Sequence, residues 1–258
     1  MTMPALFISH GSPMLAIQDS PAHRFLKSYG AELGKPAAIL SVSAHWEAAQ
    51  PTVSTAERPA TIHDFGNFPK ALFEIDYPAP GAPDLAAKAA GLLRAAGLEA
   101  MTDAGHGLDH GSWVPLSLMY PAADVPVFQL SVQTCYGPAH HLALGQALRP
   151  LREENVLILG SGSLTHNLRA FFTQDGSGAT PGWVTDFADW TERTIAEGRT
   201  DDLLAYRETA PYAVQNHPTD EHFLPIFAAL GAGSDGKGTR VHHSIDGGVL
   251  AMDMYRFD

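Results

Sequence analysis

The chain has 258 residues, of which 45% are hydrophobic and 17% are charged, and its formal net charge is −12. That composition can bury one large core, and α/β proteins of this length are often a single domain. A protein that binds nucleic acid needs a basic surface to neutralise phosphates, and this acidic chain has no basic stripe. We therefore do not expect this protein to bind nucleic acid.

Membrane insertion and secretion are also not expected. No apolar run reaches the roughly 20 residues that span a bilayer, and the N-terminus lacks the pattern of a secretory signal. Cys135 is the only cysteine, so the chain cannot form an internal disulfide. The lack of a disulfide is typical of proteins in a reducing compartment. We expect a cytoplasmic protein.

Strand and helix patterns alternate along the chain, which indicates a sheet covered by helices on both faces. Strand patterns occupy residues 5–8, 37–42, 125–132, 155–159 and 248–257, and helical patterns occupy residues 23–33, 84–96, 138–153, 183–198 and 221–230. Between them, residues 47–82 contain many prolines and little periodicity. Such a segment predicts a long ordered loop, and loops of this length often cover a binding site.

Five segments that contain histidine carry the strongest functional signal. They are residues 9–13, 43–46, 109–113, 163–167 and 217–222. Within them, His10, His45 and His166 each follow a predicted buried strand. Strand ends in an α/β protein meet at one edge of the sheet, where ligands bind, so we expect these side chains to converge. Several imidazoles with no cysteine beside them suit a divalent metal such as zinc or iron(II).

His10 and His45 are the first candidate metal ligands. Adjacent strands lie about 5 Å apart, so residues at their ends can reach one ion at the usual imidazole distance of about 2.1 Å. His166 follows residues 160–163, which read as a turn, and it is a candidate ligand or general base. His110 lies in a glycine-flanked segment, either as part of a turn held by side-chain hydrogen bonds or as a mobile acid.

Two residues compete for the third ligand position, the imidazole of His222 and the carboxylate of Glu221. Both stand at the start of a predicted helix, where neighbouring side chains point about 100° apart, so we expect only one to face the metal. In the long loop, His63 has Phe65 and Phe68 close by in sequence. These aromatic rings suit either a planar substrate or an anchor that holds the loop to the core.

Other catalytic motifs are not present around the glycine-rich segment. Residues 160–164 read Gly-Ser-Gly-Ser-Leu, which does not fit the nucleophile elbow of serine hydrolases. They also lack the third glycine of a dinucleotide fingerprint and the lysine of a P-loop. A serine hydrolase and a nucleotide-binding enzyme are therefore disfavoured.

Taken together and in order, these segments resemble the class III extradiol ring-cleaving dioxygenases, in particular the branch described as DOPA 4,5-dioxygenase-like. The matching stretches are residues 9–13, 43–46, 61–69, 77–81, 109–116, 160–168 and 217–225. The resemblance implies one catalytic α/β domain over residues 1–258, with a mixed central β-sheet flanked by helices and a metal site at one edge of the sheet.

The resemblance also implies roles for individual residues. His10, His45 and His222 match the metal ligands of this branch, where better-known members of the wider class have a glutamate as the third ligand. Glu221 remains the alternative to His222. His166 matches a residue that acts as base or, with zinc bound, as a fourth ligand, and His110 matches the second active-site histidine.

The expected ligands follow from that resemblance. The implied substrates are a small aromatic diol of the catechol type and O2, and the product is a ring-opened semialdehyde. Fe(II) is expected for activity, with Zn(II) as an alternative occupant of the site. The residues expected to contact the substrate are His63, Phe65, Trp113 and His217.

Two other functions stay open from the residues alone. A zinc-dependent hydrolase could use the same histidines, and a binding protein could keep this fold without catalysis. The ordered histidine set favours catalysis, because a binding protein has no evident need for His110 and His166. No heptad pattern predicts an oligomeric state.

Overall fold

Eight strands form one mixed sheet through the middle of the molecule. The computed structural model describes residues 2–173 and 179–258. The strands in these residues are β1 Ala5–Ser9, β2 Ala38–Glu47, β3 Thr52–Ser54, β4 Met101–Asp103, β5 Val127–Val132, β6 Val156–Gly162, β7 Thr239–His242, β8 Ile245–Asp246, β9 Leu250–Ala251 and β10 Met254–Phe257.

The sheet has the strand order β4-β3-β5-β2-β6-β1-β10-β7, and β8 pairs with β9 in a separate hairpin. The four central strands β5, β2, β6 and β1 are parallel to one another. On the two sides, β3 runs antiparallel to β5, and β10 runs antiparallel to β1. Parallel strands are covered on both faces, which explains why these four read as nearly continuous apolar runs. Their carboxyl ends lie at the same edge of the sheet.

Helices cover both faces of this sheet. They are α1 Pro21–Leu33, α2 Lys70–Phe73, α3 Pro83–Ala95, α4 His110–Met119, α5 Gly137–Leu148, α6 Leu168–Phe172, α7 Gly182–Glu197, α8 Thr200–Leu204, α9 Tyr206–Thr209, α10 Ala213–Asn216 and α11 Leu224–Ala232. Side chains of β6 show which helix lies on which face. The Ser161 hydroxyl donates a hydrogen bond to the Gly111 carbonyl in α4, whereas a Cβ on Gly160 would overlap the Pro225 carbonyl of α11. Because neighbouring residues of a strand face opposite sides, α4 and α11 lie on opposite faces.

The α/β fold with a mixed sheet and flanking helices is confirmed, and the structure corrects two strand ends. β2 continues to Glu47, so His45 lies inside the strand rather than after it. β6 continues through Gly162, over residues that were predicted to turn. The small residues serve packing instead, because a Cβ on Gly162 would overlap the carbonyl of His222.

Four further local predictions are wrong in detail. His110 begins α4 instead of lying in a turn, and Asp109 caps that helix by accepting a hydrogen bond from the backbone N–H of Ser112. The predicted long loop contains β3 and α2. Glu221 and His222 precede α11, which begins at Leu224, so the expectation based on helical spacing does not apply to them. The last predicted strand is divided into β9 and β10.

Within the described residues, none of the helices combines the length and the apolar character needed to cross a membrane.

Glycines allow α5 and α11 to meet at their backbones. A Cβ on Gly145 would overlap the Ala228 carbonyl, and a Cβ on Gly231 would overlap the Leu142 carbonyl. The two helices therefore approach more closely than side chains would permit.

We expect Gly145→Ala to lower the free energy of unfolding by about 1–3 kcal/mol, because the added methyl group forces the two helices apart. Gly91→Ala is the matched control. Gly91 lies on the exposed side of α3 with no atom within 4 Å of an added Cβ, so this change should stabilise the helix by about 1 kcal/mol. Urea unfolding of both variants measures the difference, and shifts of the same sign would contradict this account of the packing.

Candidate metal centre and active site

Three imidazoles converge at the carboxyl edge of the central strands. The Nε2 atoms of His10 and His45 lie 3.0 Å apart, and those of His45 and His222 lie 3.3 Å apart. Two nitrogens that each lie about 2.1 Å from one ion are about 3.0–3.4 Å apart when the N–metal–N angle lies between the octahedral and the tetrahedral value. The spacing of the three atoms therefore fits a shared metal ion.

The fold brings these residues from distant parts of the chain. His10 directly follows β1, and His45 lies in the last part of β2. His222 lies in the turn before α11, and its carbonyl accepts a hydrogen bond from the backbone N–H of Ser163 at 2.8 Å. That contact attaches the turn to the end of β6, so all three histidines are placed by parallel strands of the sheet.

The outer nitrogens of the same rings meet hydrogen-bond acceptors. Ser161 donates its hydroxyl proton to Gly111, so at 3.0 Å it accepts a hydrogen bond from Nδ1 of His10. Nδ1 of His222 lies 3.0 Å from the Glu221 carboxylate, which can only accept. With the proton on Nδ1, the lone pair of each Nε2 points to the centre. Facing lone pairs repel unless a cation lies between them, so the donor set fits a metal.

These histidines are neutral near pH 7. Burial, reinforced by the neighbouring histidines, lowers the pKa of His10 and of His222 well below the usual value. Burial also lowers the pKa of His45 to about 3, with a further contribution from His110 and an opposing one from Asp64. A metal binds the neutral imidazole, so the environment holds the rings in the form that binds.

Carboxylates stand on the outer side of the histidine rings. Asp64 lies 3.5 Å from Nδ1 of His45, and Glu221 lies 3.9 Å from Nδ1 of His166. Two more groups therefore have ligand atoms within 4.8 Å of one another, the first being His45, Asp64 and His110 and the second His166, Glu221 and His222. In both groups the carboxylate approaches Nδ1, whereas the inner group uses Nε2 alone.

The two remaining histidines of the predicted site lie against the three converging rings. The ring of His166 stacks on that of His222 with centroids 3.4 Å apart. Burial lowers the pKa of His166 to about 4, partly opposed by Glu221. The ring of His110 lies 3.9 Å from that of His45. The structure thus brings together all five histidines that the sequence singled out for this site.

Asp64 is a site residue that the sequence reading missed. Its carboxylate accepts hydrogen bonds from both Nδ1 and the backbone N–H of His110, each at 2.9 Å. Burial alone would raise the pKa of Asp64, but the hydrogen bonds from His110 outweigh it and lower that pKa to about 2. Its place next to His63 in the long loop was the available signal.

A cavity of about 440 Å³ opens beside this cluster. Its aromatic wall consists of Phe65, Phe68, Phe171 and Phe172. Its remaining lining residues are Gly11, Ser12, Pro13, Met14, Gln18, His110, Ser163, His166, Leu168, Asp246 and Leu250. The α6 residues and Asp246 were not found from the sequence, because no histidine or strand end marks them.

Of the predicted substrate contacts, Phe65 lines the cavity. His63 and Trp113 lie behind it, with ring centroids 5.7 Å and 6.2 Å from that of Phe65. Nε2 of His63 lies 3.0 Å from the Ile75 carbonyl, which holds the loop in place. His63 and Trp113 therefore support the wall and do not line the cavity.

His217 does not line the cavity either, and its expected contact with the substrate stays a prediction. Its ring is completely buried, and its Nε2 donates a hydrogen bond to the Leu164 carbonyl at 2.7 Å. Phe187 and Phe223 enclose the ring. This histidine is a packing residue that fixes the segment before His166.

We expect the metal-free protein to lose stability as the pH falls from 7 towards 4. The folded-state pKa values of His45, about 3, and His166, about 4, lie below the value of 6.5 expected in the unfolded chain. The unfolded chain therefore takes up protons first, so the stability present above pH 6.5 is lost as the pH approaches the folded-state values. Urea midpoints across this range measure the loss, and His166→Asn should reduce it. A stability independent of pH would contradict the buried neutral state.

Comparison with known proteins places the chain beside ring-opening enzymes. Residues 4–250 match the protein family described as "Catalytic LigB subunit of aromatic ring-opening dioxygenase". The protein named "4,5-DOPA dioxygenase extradiol" from Beta vulgaris is 45% identical over 256 residues, which cover 97% of this chain and 95% of that protein. The protein of the same name from Escherichia coli (strain K12) is 40% identical over 233 residues, covering 89% of this chain and 85% of the other.

The fold also has a close match among solved structures. The crystal structure of an uncharacterised protein from Escherichia coli K12 superposes with a TM-score of 0.83 at 34% sequence identity. The match covers 99% of this chain and 100% of that one.

Proposed function

The chain belongs to the family of LigB catalytic subunits of aromatic ring-opening dioxygenases, and from that premise we propose that its substrate is a catechol. It is an extradiol ring-cleaving dioxygenase, which acts with O2 on an aromatic substrate and depends on a metal. This class displaces the zinc hydrolase and the non-catalytic binding protein as alternatives. DOPA is one candidate catechol, because several relatives carry it in their names.

We assign the metal to His10, His45 and His222, and the observation that supports this most strongly is the convergence of their Nε2 atoms at 3.0 and 3.3 Å. Glu221 supports His222 from behind and is not a ligand in this proposal. Iron(II) is the proposed metal, since it would supply both the Lewis acidity that lowers the pKa of a diol and the redox chemistry that O2 requires. Zn(II) is a Lewis acid but has no redox chemistry.

His166 is the proposed base that receives a proton from the diol. It lines the cavity, and burial keeps its imidazole neutral at pH 7. A neutral imidazole has a free lone pair that can take the proton, and stacking on His222 holds the ring beside the metal centre. The fourth-ligand role predicted for zinc is the alternative role of this residue.

His110 is the proposed second acid–base group. Its Nδ1 and its backbone N–H both bind Asp64, so the ring keeps one orientation. With Nδ1 occupied, Nε2 is the atom that exchanges a proton in the cavity. The ring of Phe65 lies edge-on to His110, with centroids 5.6 Å apart, and helps to keep water from the reacting face.

The cytoplasmic location expected from the sequence stays a prediction.

We expect His10→Ala and His222→Ala to abolish stoichiometric binding of Fe(II), because each removes one of three converging nitrogens. His166→Ala should keep the metal while kcat falls by about 10²–10⁴-fold, as for the loss of a general base. Metal analysis after anaerobic loading and gel filtration measures the first effect. His140→Ala is the control, since His140 lies on α5 and bonds Gln133. Loss of metal from His166→Ala would make His166 a ligand.

Glu221→Gln separates the two candidates for the third ligand. As an outer partner of His222, Glu221 should be replaceable with a loss of about 10–100-fold in metal affinity, and metal should still bind stoichiometrically at saturation. Competition with a coloured chelator measures the affinity. If Glu221→Gln removed the metal while His222→Ala retained it, the assignment would be reversed.

The proposed substrate class is tested by the reaction itself. We expect the protein, purified without air and loaded with Fe(II), to consume O2 with a catechol and to form a yellow ring-opened product. An oxygen electrode and absorbance spectra follow the two events together, with the same protein loaded with Zn(II) as control. Absence of oxygen uptake with every catechol in iron-containing protein would contradict the proposal.

A further inference from the structure

We infer that Asp246 selects substrates by charge, pairing with a positively charged group on the side chain of the aromatic substrate. This inference rests on the proposed function, because it assumes that the substrate lies in the cavity beside His110 and His166. It adds a specificity residue to a site whose other polar groups serve the metal and the protons.

The charge of the cavity lining is the first observation. Among the described residues that line the cavity, Asp246 is the only carboxylate, and there is no lysine or arginine. The other titratable groups there are His110 and His166. The part of the substrate that extends away from the metal therefore meets aromatic rings, a few neutral polar groups and one negative charge.

The lack of a partner for Asp246 is the second observation. Within residues 2–173 and 179–258, the structure records no hydrogen bond and no ion pair to its side chain, although the residue is half-buried. Several other buried or half-buried carboxylates of the chain have cationic partners, as Asp220 has Arg207 and Asp253 has Arg240. A carboxylate beside aromatic walls is only partly hydrated, so a ligand cation placed against it gains more than it would in water.

The local backbone holds Asp246 in a fixed position. It ends β8 and pairs with Leu250 of β9 across a turn that contains Gly247, at φ +50°, and Gly248, at φ +72°. A Cβ on Gly247 would overlap the ring of Phe171, so the turn packs directly on another residue of the cavity wall. Only glycine combines this φ with such a close approach.

The hairpin is also attached to the segment that carries His166. Thr165 donates its hydroxyl proton to the Val249 carbonyl at 2.7 Å and accepts a hydrogen bond from the backbone N–H of Ala251 at 2.7 Å. Thr165 precedes His166, so the position of Asp246 is set relative to the proposed base. If the metal centre orients one end of the substrate, Asp246 can therefore contact the other end.

The substrate class follows from these charges. A catechol whose side chain ends in an ammonium group gains an ion pair with Asp246. A carboxylate on that side chain meets no lysine or arginine among the described lining residues and is repelled by Asp246. Aminoethyl catechol should therefore bind better than neutral 4-ethylcatechol, and 3,4-dihydroxyphenylacetate should bind worse than both.

The test compares these three catechols on wild-type protein, Asp246→Asn and Asp186→Asn, all loaded with Fe(II). Binding is measured without O2 by calorimetry, and turnover is measured separately by oxygen uptake. Asp186 is an exposed residue of α7, so Asp186→Asn makes the same change in net charge away from the cavity. If Asp246 forms an ion pair with the ammonium group, Asp246→Asn should weaken the binding of aminoethyl catechol by about tenfold to a hundredfold. It should leave 4-ethylcatechol within about twofold and strengthen the anionic catechol.

Each outcome bears on the inference. Loss of the preference for the cation in Asp246→Asn, but not in Asp186→Asn, supports it. The same preference in all three proteins, equal binding of the three catechols by wild type, or no binding of any of them overturns it. If aminoethyl catechol binds in an Asp246-dependent manner and no catechol consumes O2, the charge selection stands and the catechol-cleavage proposal fails.

Discussion

Two of the three rings in the candidate metal centre depend on an outward contact that decides which nitrogen carries the proton. Ser161 accepts a hydrogen bond from His10, and Glu221 accepts one from His222, so the lone pairs of both Nε2 atoms face inward. Burial then keeps these imidazoles neutral. Without the outer acceptors the rings could rotate or change tautomer, and the inner nitrogens would no longer form a set of ligands. Asp64 gives His110 an equivalent support.

The topology of the sheet places the residues of this site at one edge. The parallel strands β1, β2 and β6 bring His10, His45 and the segment before His166 to one edge, as expected for an α/β sheet. The fourth contribution comes from the turn before α11, and it fits because β6 ends in residues without bulky side chains. Gly162 faces the backbone of that turn directly. A larger residue there would displace His222 from the other two histidines.

Much of the site could be predicted from the sequence because it follows strand ends. His10, His45 and His166 were found in this way, and the ordered motifs led to His110 and His222. What escaped prediction depends on contacts between distant segments. Nothing in the sequence shows that His217 would be enclosed by aromatic rings, or that Asp246 would reach the cavity from a hairpin near the end of the chain. The glycines of β6 were misread as a turn because their packing role becomes visible only against α11.

The most direct test of the central claim is an anaerobic crystal structure of the Fe(II)-loaded protein, with the iron located by its anomalous scattering. The account predicts one iron bound to Nε2 of His10, His45 and His222, each at about 2.1 Å. It also predicts that Asp64 and Glu221 keep their contacts with the outer nitrogens. An iron bound by either carboxylate, in place of one of these three histidines, would contradict it.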